Sequence, residues 1–326
     1  MKLVESLRYG RQIRETEPPA PPIFILGFWR SGTTLLHNLM TSDPQFTYMT
    51  LYQSVFPWHF LTTQRVVSRL TGALLPESRP MDNVSVNWDA AQEDEVALCV
   101  MTLISPYLLV AYDGDRERYR PSLFMDSLPE KKLQEWKDAL SLIVKKITLQ
   151  SNKQIVLKSP SHTFRVKTLL EMYPEAKFVY IYRNPYDVFN SNIHLRTAMT
   201  TENNFDRPSR GEFHEEVIDI YKEGFKSYQE NKHLIPDGHL YEMRYEDLAA
   251  DPLGEMERTY AALNLSNVIG MRAAIEPQLE DLKKYKKNKF VPDPYWQQRV
   301  YEEWRAAYEE FGYPEPSAVN ALTEVA

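Results

Sequence analysis

The chain has a single cysteine, Cys99, among its 326 residues. One thiol excludes an intrachain disulfide framework and is typical of proteins in a reducing compartment, so we expect a cytoplasmic location. Cys99 lies in an apolar run, which predicts a buried structural thiol. Residues 1–22 lack the apolar core of a secretory signal, and we therefore expect none here.

The chain also lacks an excess of positive charge and a clear membrane-spanning run. A net charge of −7 gives the whole molecule no electrostatic reason to bind nucleic acid or an anionic surface. The most apolar stretch, Val96 to Tyr112, contains Thr102, Ser105 and Pro106. It is only about as long as the shortest spans, roughly 17 residues, and is better interpreted as a buried helix.

No internal repeat or low-complexity segment divides the chain. Its length suits one large α/β domain, which we expect over residues 22–314. Residues 1–21 are predicted as a lead-in whose Pro-rich end runs extended into the first strand, and residues 315–326 as a tail.

The most informative segment runs from Ile23 to Met40. A short apolar strand is followed by a loop bounded by Gly27 and Gly32, and then by the amphipathic start of a helix. Backbone N–H groups at such a helix start attract anions. The spacing is that of the nucleotide-binding motif GxxxxGK[ST], but Thr33 takes the place of the lysine, and the cation is Arg30 inside the loop. A phosphate-bearing ligand other than ATP is therefore expected.

Three further short strands are predicted, at residues 154–157, 177–182 and 239–243, with helices between them. This alternation predicts a three-layer α/β fold with a central, mostly parallel sheet flanked by helices. Ligands bind such sheets at the carboxyl ends of the strands. Polar or basic residues follow all four strands there: the Arg30 loop, Lys158 with His162, Arg183, and Arg244 with Tyr245.

These residues resemble the sulfotransferases that use 3′-phosphoadenosine 5′-phosphosulfate (PAPS), a family with a P-loop-kinase-like fold. Residues 29–36 (WRSGTTLL) match its 5′-phosphosulfate loop, in a branch with arginine instead of lysine. Residues 183–191 (RNPYDVFNS) match its 3′-phosphate motif, and residues 245–248 (YEDL) match an element near the adenine. The resemblance covers nearly the whole chain and implies an enzyme that moves a sulfuryl group from PAPS to a hydroxyl or amine.

The resemblance implies a set of donor-binding residues. Arginine forks and hydroxyls suit phosphate groups, and a basic run near the C-terminus can close over the 3′-phosphate or simply be solvated. The expected donor-binding residues are Arg30, Ser31, Gly32, Thr33, Thr34, Arg183, Ser191, Tyr245, Lys286 and Lys287. For Arg183, a surface ion pair with Asp187 four residues later is the alternative.

Sulfuryl transfer depends on positioning and on electrostatic stabilisation. Arg30 is expected to stabilise charge on the transferring group, since arginine does not deliver a proton at ordinary pH. The acceptor needs a base, for which His162 and a carboxylate of Glu93 or Glu95 are the candidates. Lys158 is a candidate to assist. A capping or packing role for His162, and a solvated helix start for the acidic residues, stay open.

Aromatic residues near the donor loop favour a hydrophobic, hydroxylated acceptor, lipid-like or carrier-bound. Phe28, Trp58, His59 and Trp88 are the expected acceptor-binding residues, with core packing as the alternative for each. No metal, nucleic acid or membrane span is expected. Two other functions stay open, a P-loop small-molecule kinase and an inactive nucleotide-binding module.

Overall fold

A computed structural model describes residues 1–75, 87–112, 116–203, 213–284 and 290–316. It contains a five-stranded sheet in the order β2-β3-β1-β4-β5. The strands are β1 (Ile23–Leu26), β2 (Phe46–Tyr48), β3 (Gln154–Lys158), β4 (Lys177–Tyr182) and β5 (Leu240–Arg244). All four strand pairings of this sheet are parallel, which confirms the predicted α/β class.

Sixteen α-helices surround the sheet in the part of the chain that the structure describes. The first eight are α1 (Lys2–Glu15), α2 (Thr33–Ser42), α3 (Leu51–Val55), α4 (Phe60–Thr71), α5 (Asp94–Thr102), α6 (Leu108–Ala111), α7 (Arg116–Tyr119) and α8 (Glu130–Ser151). The others are α9 (Val166–Met172), α10 (Pro185–Asn203), α11 (Phe213–Asn231), α12 (Tyr245–Ala250), α13 (Pro252–Ala262), α14 (Val268–Ile275), α15 (Leu279–Lys284) and α16 (Pro294–Glu310).

The sheet is buried on both faces because successive strand residues point to opposite sides. Phe24 and Leu26 of β1 pack with α5, α8 and α9 on one face. Ile23 and Ile25 pack with α2, α12, α13 and α14 on the other. Continuous apolar runs such as IFIL are typical of strands covered in this way. The result is the predicted three-layer arrangement.

A third apolar cluster joins helices α6, α10, α11 and α16. It includes Phe28, which directly follows β1 and its Gly27, so this cluster lies beside the loop that leaves the central strand. Strand β1 lies between β3 and β4, and the crevice beside its carboxyl end is where parallel sheets of this kind bind ligands.

The structure differs from the sequence predictions at several elements. Residues 46–48 form a strand, β2, that their aromatic content concealed, and residues 2–15 form a helix ahead of the proline-rich segment. The predicted single helix over Val96–Tyr112 is wrong: α5 ends at Thr102, and Leu103 adopts a φ of 56°. Pro106 lies between α5 and α6, in a segment where the side chain of Ser105 accepts a hydrogen bond from Tyr107 N. Cys99 is half-buried rather than buried.

None of the helices in the ranges that the structure describes is long and apolar enough to cross a membrane.

Candidate active site

The loop between β1 and α2 forms a tight turn that is held from two sides. Ser31 N donates a hydrogen bond to Phe28 O at 3.1 Å. Thr163 exchanges two hydrogen bonds with the backbone of Gly27, at 2.9 and 3.1 Å. Gly27 has a φ of 140°, and a Cβ there would lie 2.5 Å from the carbonyl oxygen of Ile181. Only glycine fits this position, because the conformation and the space both exclude a side chain.

The loop leaves hydrogen-bond donors pointing outward at the start of α2. The first backbone hydrogen bond of this helix runs from Leu36 N to Gly32 O, so the amides that precede Leu36 point beyond the helix end. Ser31 is buried, and its hydroxyl has no hydrogen-bond partner among the described residues. Buried polar groups normally have partners, so a ligand that supplies an acceptor fits this position.

The three sequence motifs meet at this loop. Arg30 Nε donates a hydrogen bond to Ser191 Oγ of α10 at 2.9 Å. Arg183 Nη1 donates to the carbonyl oxygen of Arg30 at 3.4 Å, and its guanidinium carbon lies 4.8 Å from the ring centre of Tyr245. Arg30 has a φ of 70°, an uncommon conformation for a residue other than glycine. Residues more than 150 positions apart therefore form one cationic group.

Arg183 also forms the ion pair with Asp187 that the spacing suggested, at 3.1 Å. The carboxylate is about half exposed, with a side-chain exposure of 52%, whereas Arg183 is 15% exposed. An exposed pair of this kind contributes little stability. The ion pair and a role in binding phosphate are compatible, because a guanidinium has five N–H donors.

The acidic residues 93–95 pair one by one with basic side chains at and after the end of β3. Lys158 Nζ lies 2.6 Å from Glu93 Oε1, His162 Nε2 lies 2.7 Å from Asp94 Oδ2, and Arg165 Nη1 lies 2.5 Å from Glu95 Oε2. This row of three ion pairs joins the start of α5 to the carboxyl end of β3. It holds α5 in place beside the donor loop.

The members of this row differ in how far their side chains are exposed. The side chains of Asp94, Glu95, His162 and Arg165 are fully buried, while Glu93 keeps an exposed fraction of 16%. Burial raises the pKa of Asp94, but the charge and hydrogen bond of His162 outweigh it and hold the pKa below its usual value. His162 also packs edge-on against Phe24, with ring centres 5.4 Å apart. These surroundings favour a structural role for His162 and Glu95.

A cavity of about 280 Å³ opens beside the donor loop. Its polar lining residues are Arg30, Thr33, Thr34, Gln92, Glu93, Asn192, Arg196 and Glu216. Arg196 and Glu216 form an ion pair at 2.6 Å. The rest of the wall is mainly apolar and includes Phe28, Trp29, Val96, Pro106, Tyr107, Leu109, Leu123, Leu195, Val217 and Ile220. One cavity therefore combines a cationic loop, two carboxylates, of which Glu216 is paired with Arg196, and a mainly hydrophobic lining.

Of the four residues expected to bind an acceptor, only Phe28 lines this cavity. Trp58 lies under Lys2, whose Nζ is 3.3 Å from a ring centre, and His59 Nδ1 is 2.9 Å from Thr63 Oγ1. Trp88 Nε1 donates to Thr71 Oγ1 at 2.9 Å. These three side chains instead contact residues of α1 and α4. Lys286 and Lys287 lie outside the described residues.

Three residues that were not predicted as site residues hold the elements of the site together by hydrogen bonds. Asn192 Nδ2 donates to Trp29 O at 2.7 Å and to Val188 O at 2.8 Å, which ties α10 to the donor loop. Glu246 accepts a hydrogen bond from Asn184 N at 3.1 Å and so positions the turn after Arg183. Thr163 holds Gly27. Asn192 and Glu246 each follow a predicted site residue, Ser191 and Tyr245, and could have been predicted for that reason. Nothing in the sequence pointed to Thr163.

The fold has close counterparts among solved structures. Sulfotransferase STF9 from Mycobacterium avium superposes with a TM-score of 0.76 at 16% identity, over 95% of this chain and 81% of that one. Sulfotransferase STF1 from Mycobacterium tuberculosis superposes with a TM-score of 0.70 at 20% identity, over 94% of this chain and 81% of that one. At these identities the likeness defines the class of fold, a sulfotransferase α/β fold, and no more.

The family follows from the sequence comparisons. A model described as the Sulfotransferase family matches residues 21–268. Omega-hydroxy-beta-dihydromenaquinone-9 sulfotransferase Stf3 of Mycobacterium bovis is 34% identical over 322 residues, 98% of this chain and 83% of that protein. The Mycobacterium tuberculosis protein of the same name matches to the same extent. The chain belongs to the sulfotransferase family and is an enzyme of sulfuryl transfer, a reaction for which PAPS is the usual donor in this family.

Proposed function

We propose that this protein transfers the sulfuryl group of PAPS to a hydroxyl at the end of a lipid-like acceptor. One observation carries this proposal: a single, mainly apolar cavity is lined by both the Arg30 loop and the Glu93 carboxylate. A hydrophobic acceptor in the cavity therefore presents its polar end between a cation and a base. The similarity to Stf3, which is named for a hydroxylated menaquinone, supports the same acceptor class.

The donor end of the site fits PAPS. The outward-pointing amides at the start of α2 and the buried Ser31 hydroxyl suit the 5′-phosphosulfate. Arg183 suits the 3′-phosphate, because its planar guanidinium matches phosphate oxygens, and Ser191 adds a hydroxyl beside it. Tyr245, stacked against Arg183, offers a ring to the adenine. PAPS supplies the sulfuryl group and a weakly basic phosphate as the leaving group.

The reaction needs a proton acceptor and stabilisation of negative charge. Glu93 takes the proton of the acceptor hydroxyl as the new O–S bond forms, and the S–O bond to the phosphate breaks. Arg30 stabilises the charge that spreads over the sulfuryl oxygens and the bridging oxygen. Lys158, hydrogen-bonded to Glu93, orients the carboxylate. His162 and Glu95 do not act as the base in this mechanism, because both are fully buried; they hold α5 in place.

The test is transfer of radiolabelled sulfuryl from PAPS to a long-chain isoprenoid alcohol, with a water-soluble phenol for comparison. We expect the lipid alcohol to be the better acceptor. The variant Arg30→Ala should retain weak binding of adenosine 3′,5′-bisphosphate, measured by calorimetry, and lose nearly all transfer. Binding without transfer to any acceptor in a broad panel would indicate an inactive module. Magnesium-dependent transfer from ATP would indicate a kinase. Preference for the phenol would overturn the acceptor class alone.

A further inference from the structure

Several large apolar side chains on and next to helices α1 and α4 are exposed to solvent. Leu3 and Leu7 of α1 have exposed fractions of 71% and 80%. Val66 and Leu70 of α4 have exposed fractions of 59% and 75%, and Leu74, just after α4, is 81% exposed. The two helices meet where Thr62 N donates to Glu5 Oε2 at 3.2 Å. Their exposed apolar side chains therefore belong to neighbouring elements of one surface.

Basic residues accompany these apolar side chains. Helices α1 and α4 contain six basic and only two acidic residues, in a protein whose net charge is −7. The basic residues are Lys2, Arg8, Arg11, Arg14, Arg65 and Arg69, and all of them are exposed. The net charge of these two helices is thus positive, opposite in sign to the net charge of the whole molecule.

The two acidic residues offset only a small part of this charge. Glu5 is 2% exposed, and its carboxylate lies 2.5 Å from Lys146 of α8. It points inward and anchors α1 to the domain. Glu15 pairs with Arg11 at 2.8 Å, at the far end of α1 from Leu3 and Leu7. The outward side of the two helices is therefore apolar and cationic.

We propose that this α1–α4 surface, the exposed outward side of α1 and of residues 65–74, docks the protein on an anionic lipid bilayer. An interfacial helix typically combines a basic polar side with apolar side chains that enter the headgroup region. The charge argues against a second copy of the chain, because a two-fold contact would place like charges against each other. The surface does not depend on the proposed acceptor, but it would bring the enzyme to the compartment in which a lipid substrate is dissolved.

Co-sedimentation with vesicles tests this surface directly. We expect binding to phosphatidylcholine vesicles that contain phosphatidylglycerol, and little binding to phosphatidylcholine alone. Each arginine near an anionic surface strengthens binding by about fivefold, so Arg65→Gln with Arg69→Gln should weaken it by about 25-fold. Leu3→Ser with Leu7→Ser should weaken it at least as much, and added salt should weaken the wild-type protein.

Ile269→Ser is the matched control, because Ile269 is 85% exposed on α14 in the opposite layer. This variant should bind vesicles as the wild type does. Circular dichroism checks that each variant is folded, which is expected because only exposed side chains change. Equal binding to neutral vesicles, or unchanged binding by the arginine and leucine variants, overturns the proposal. Dimerisation in solution that the leucine variant abolishes would assign the surface to a second copy and also overturn it.

Discussion

The variant Glu93→Gln tests whether Glu93, a member of the row of ion pairs, is the base of the reaction. The side chain keeps its size and can still accept a hydrogen bond from Lys158, whose Nζ lies 2.6 Å from the carboxylate. It loses the ability to take a proton, together with the negative charge that pairs with Lys158. General base catalysis contributes about 10²- to 10⁴-fold to a rate. We therefore expect kcat to fall by that factor, which corresponds to a barrier higher by about 3 to 5 kcal/mol.

The same substitution two residues later is the control. Glu95 is fully buried and accepts hydrogen bonds from Arg165 and from Ser161, the latter at 2.6 Å. Glu95→Gln leaves the buried guanidinium without its counter-charge, a change that typically costs about 3–5 kcal/mol. We expect both variants to lower the midpoint of urea unfolding, and Glu95→Gln to lower it more, because Glu95 and Arg165 are fully buried whereas Glu93 keeps an exposed fraction of 16%.

The assay is steady-state sulfuryl transfer together with calorimetric binding of adenosine 3′,5′-bisphosphate. Affinity for the nucleotide should be unchanged in Glu93→Gln, because the proposed donor-binding groups lie on the loop after β1, on the turn after β4, and on α10 and α12. A wild-type kcat in this variant would refute the assignment of Glu93 as the base. A fall in kcat matched by an equal loss of nucleotide affinity would instead place the effect at the donor end.

Three further outcomes are expected. Arg183→Ala should weaken calorimetric binding of adenosine 3′,5′-bisphosphate by about 10- to 150-fold, the value of a hydrogen bond to a charged group, whereas the control Asp187→Asn should not weaken it. Gly27→Ala should disrupt the donor loop and lower thermal stability, while Gly72→Ala, where a Cβ meets nothing within 4 Å, should not; equal melting temperatures would contradict this. Burial lowers the pKa of His37 to about 3 from 6.5, so the unfolded state gains a proton as the pH falls below 6.5 and the folded state does not. Urea unfolding should therefore show a loss of about 1.4 kcal/mol between about pH 7.5 and about pH 5.5, and a loss of the same size in His37→Leu would rule out His37 as its source.

The sequence was sufficient for the features that depend on nearby residues. The strand, loop and helix start around Gly27 and Gly32 follow from local periodicity and from the backbone freedom of glycine. The alternation of strands and helices was enough to predict a parallel sheet and therefore the edge at which Arg30, Lys158 and Arg183 gather. The family resemblance came from the same short motifs, and the family match supports it.

Short strands and interrupted helices were less predictable. Strand β2 has only three residues, Phe46–Tyr48, and its pairing with β3 supplies the stability that its own sequence does not show. The apolar run after Glu95 has the composition of one helix. Its break at Leu103 depends on backbone conformation and on the side-chain hydrogen bonds of Thr102 and Ser105, which hydropathy does not report.

Within the candidate site, only the tertiary structure distinguished the roles of residues that have the same kind of side chain. Glu93 and Glu95 are alike in sequence, but Glu93 precedes α5 in an extended conformation and lines the cavity, whereas Glu95 lies in the first turn of α5 and is buried against Arg165. Phe28 lines the cavity, whereas Trp58, His59 and Trp88 contact residues of α1 and α4, a difference that aromatic composition does not reveal. The sequence by itself determined the chemical groups and the sheet edge that collects them. Their burial and their partners depend on contacts between residues far apart in the chain, and these the tertiary structure alone decided.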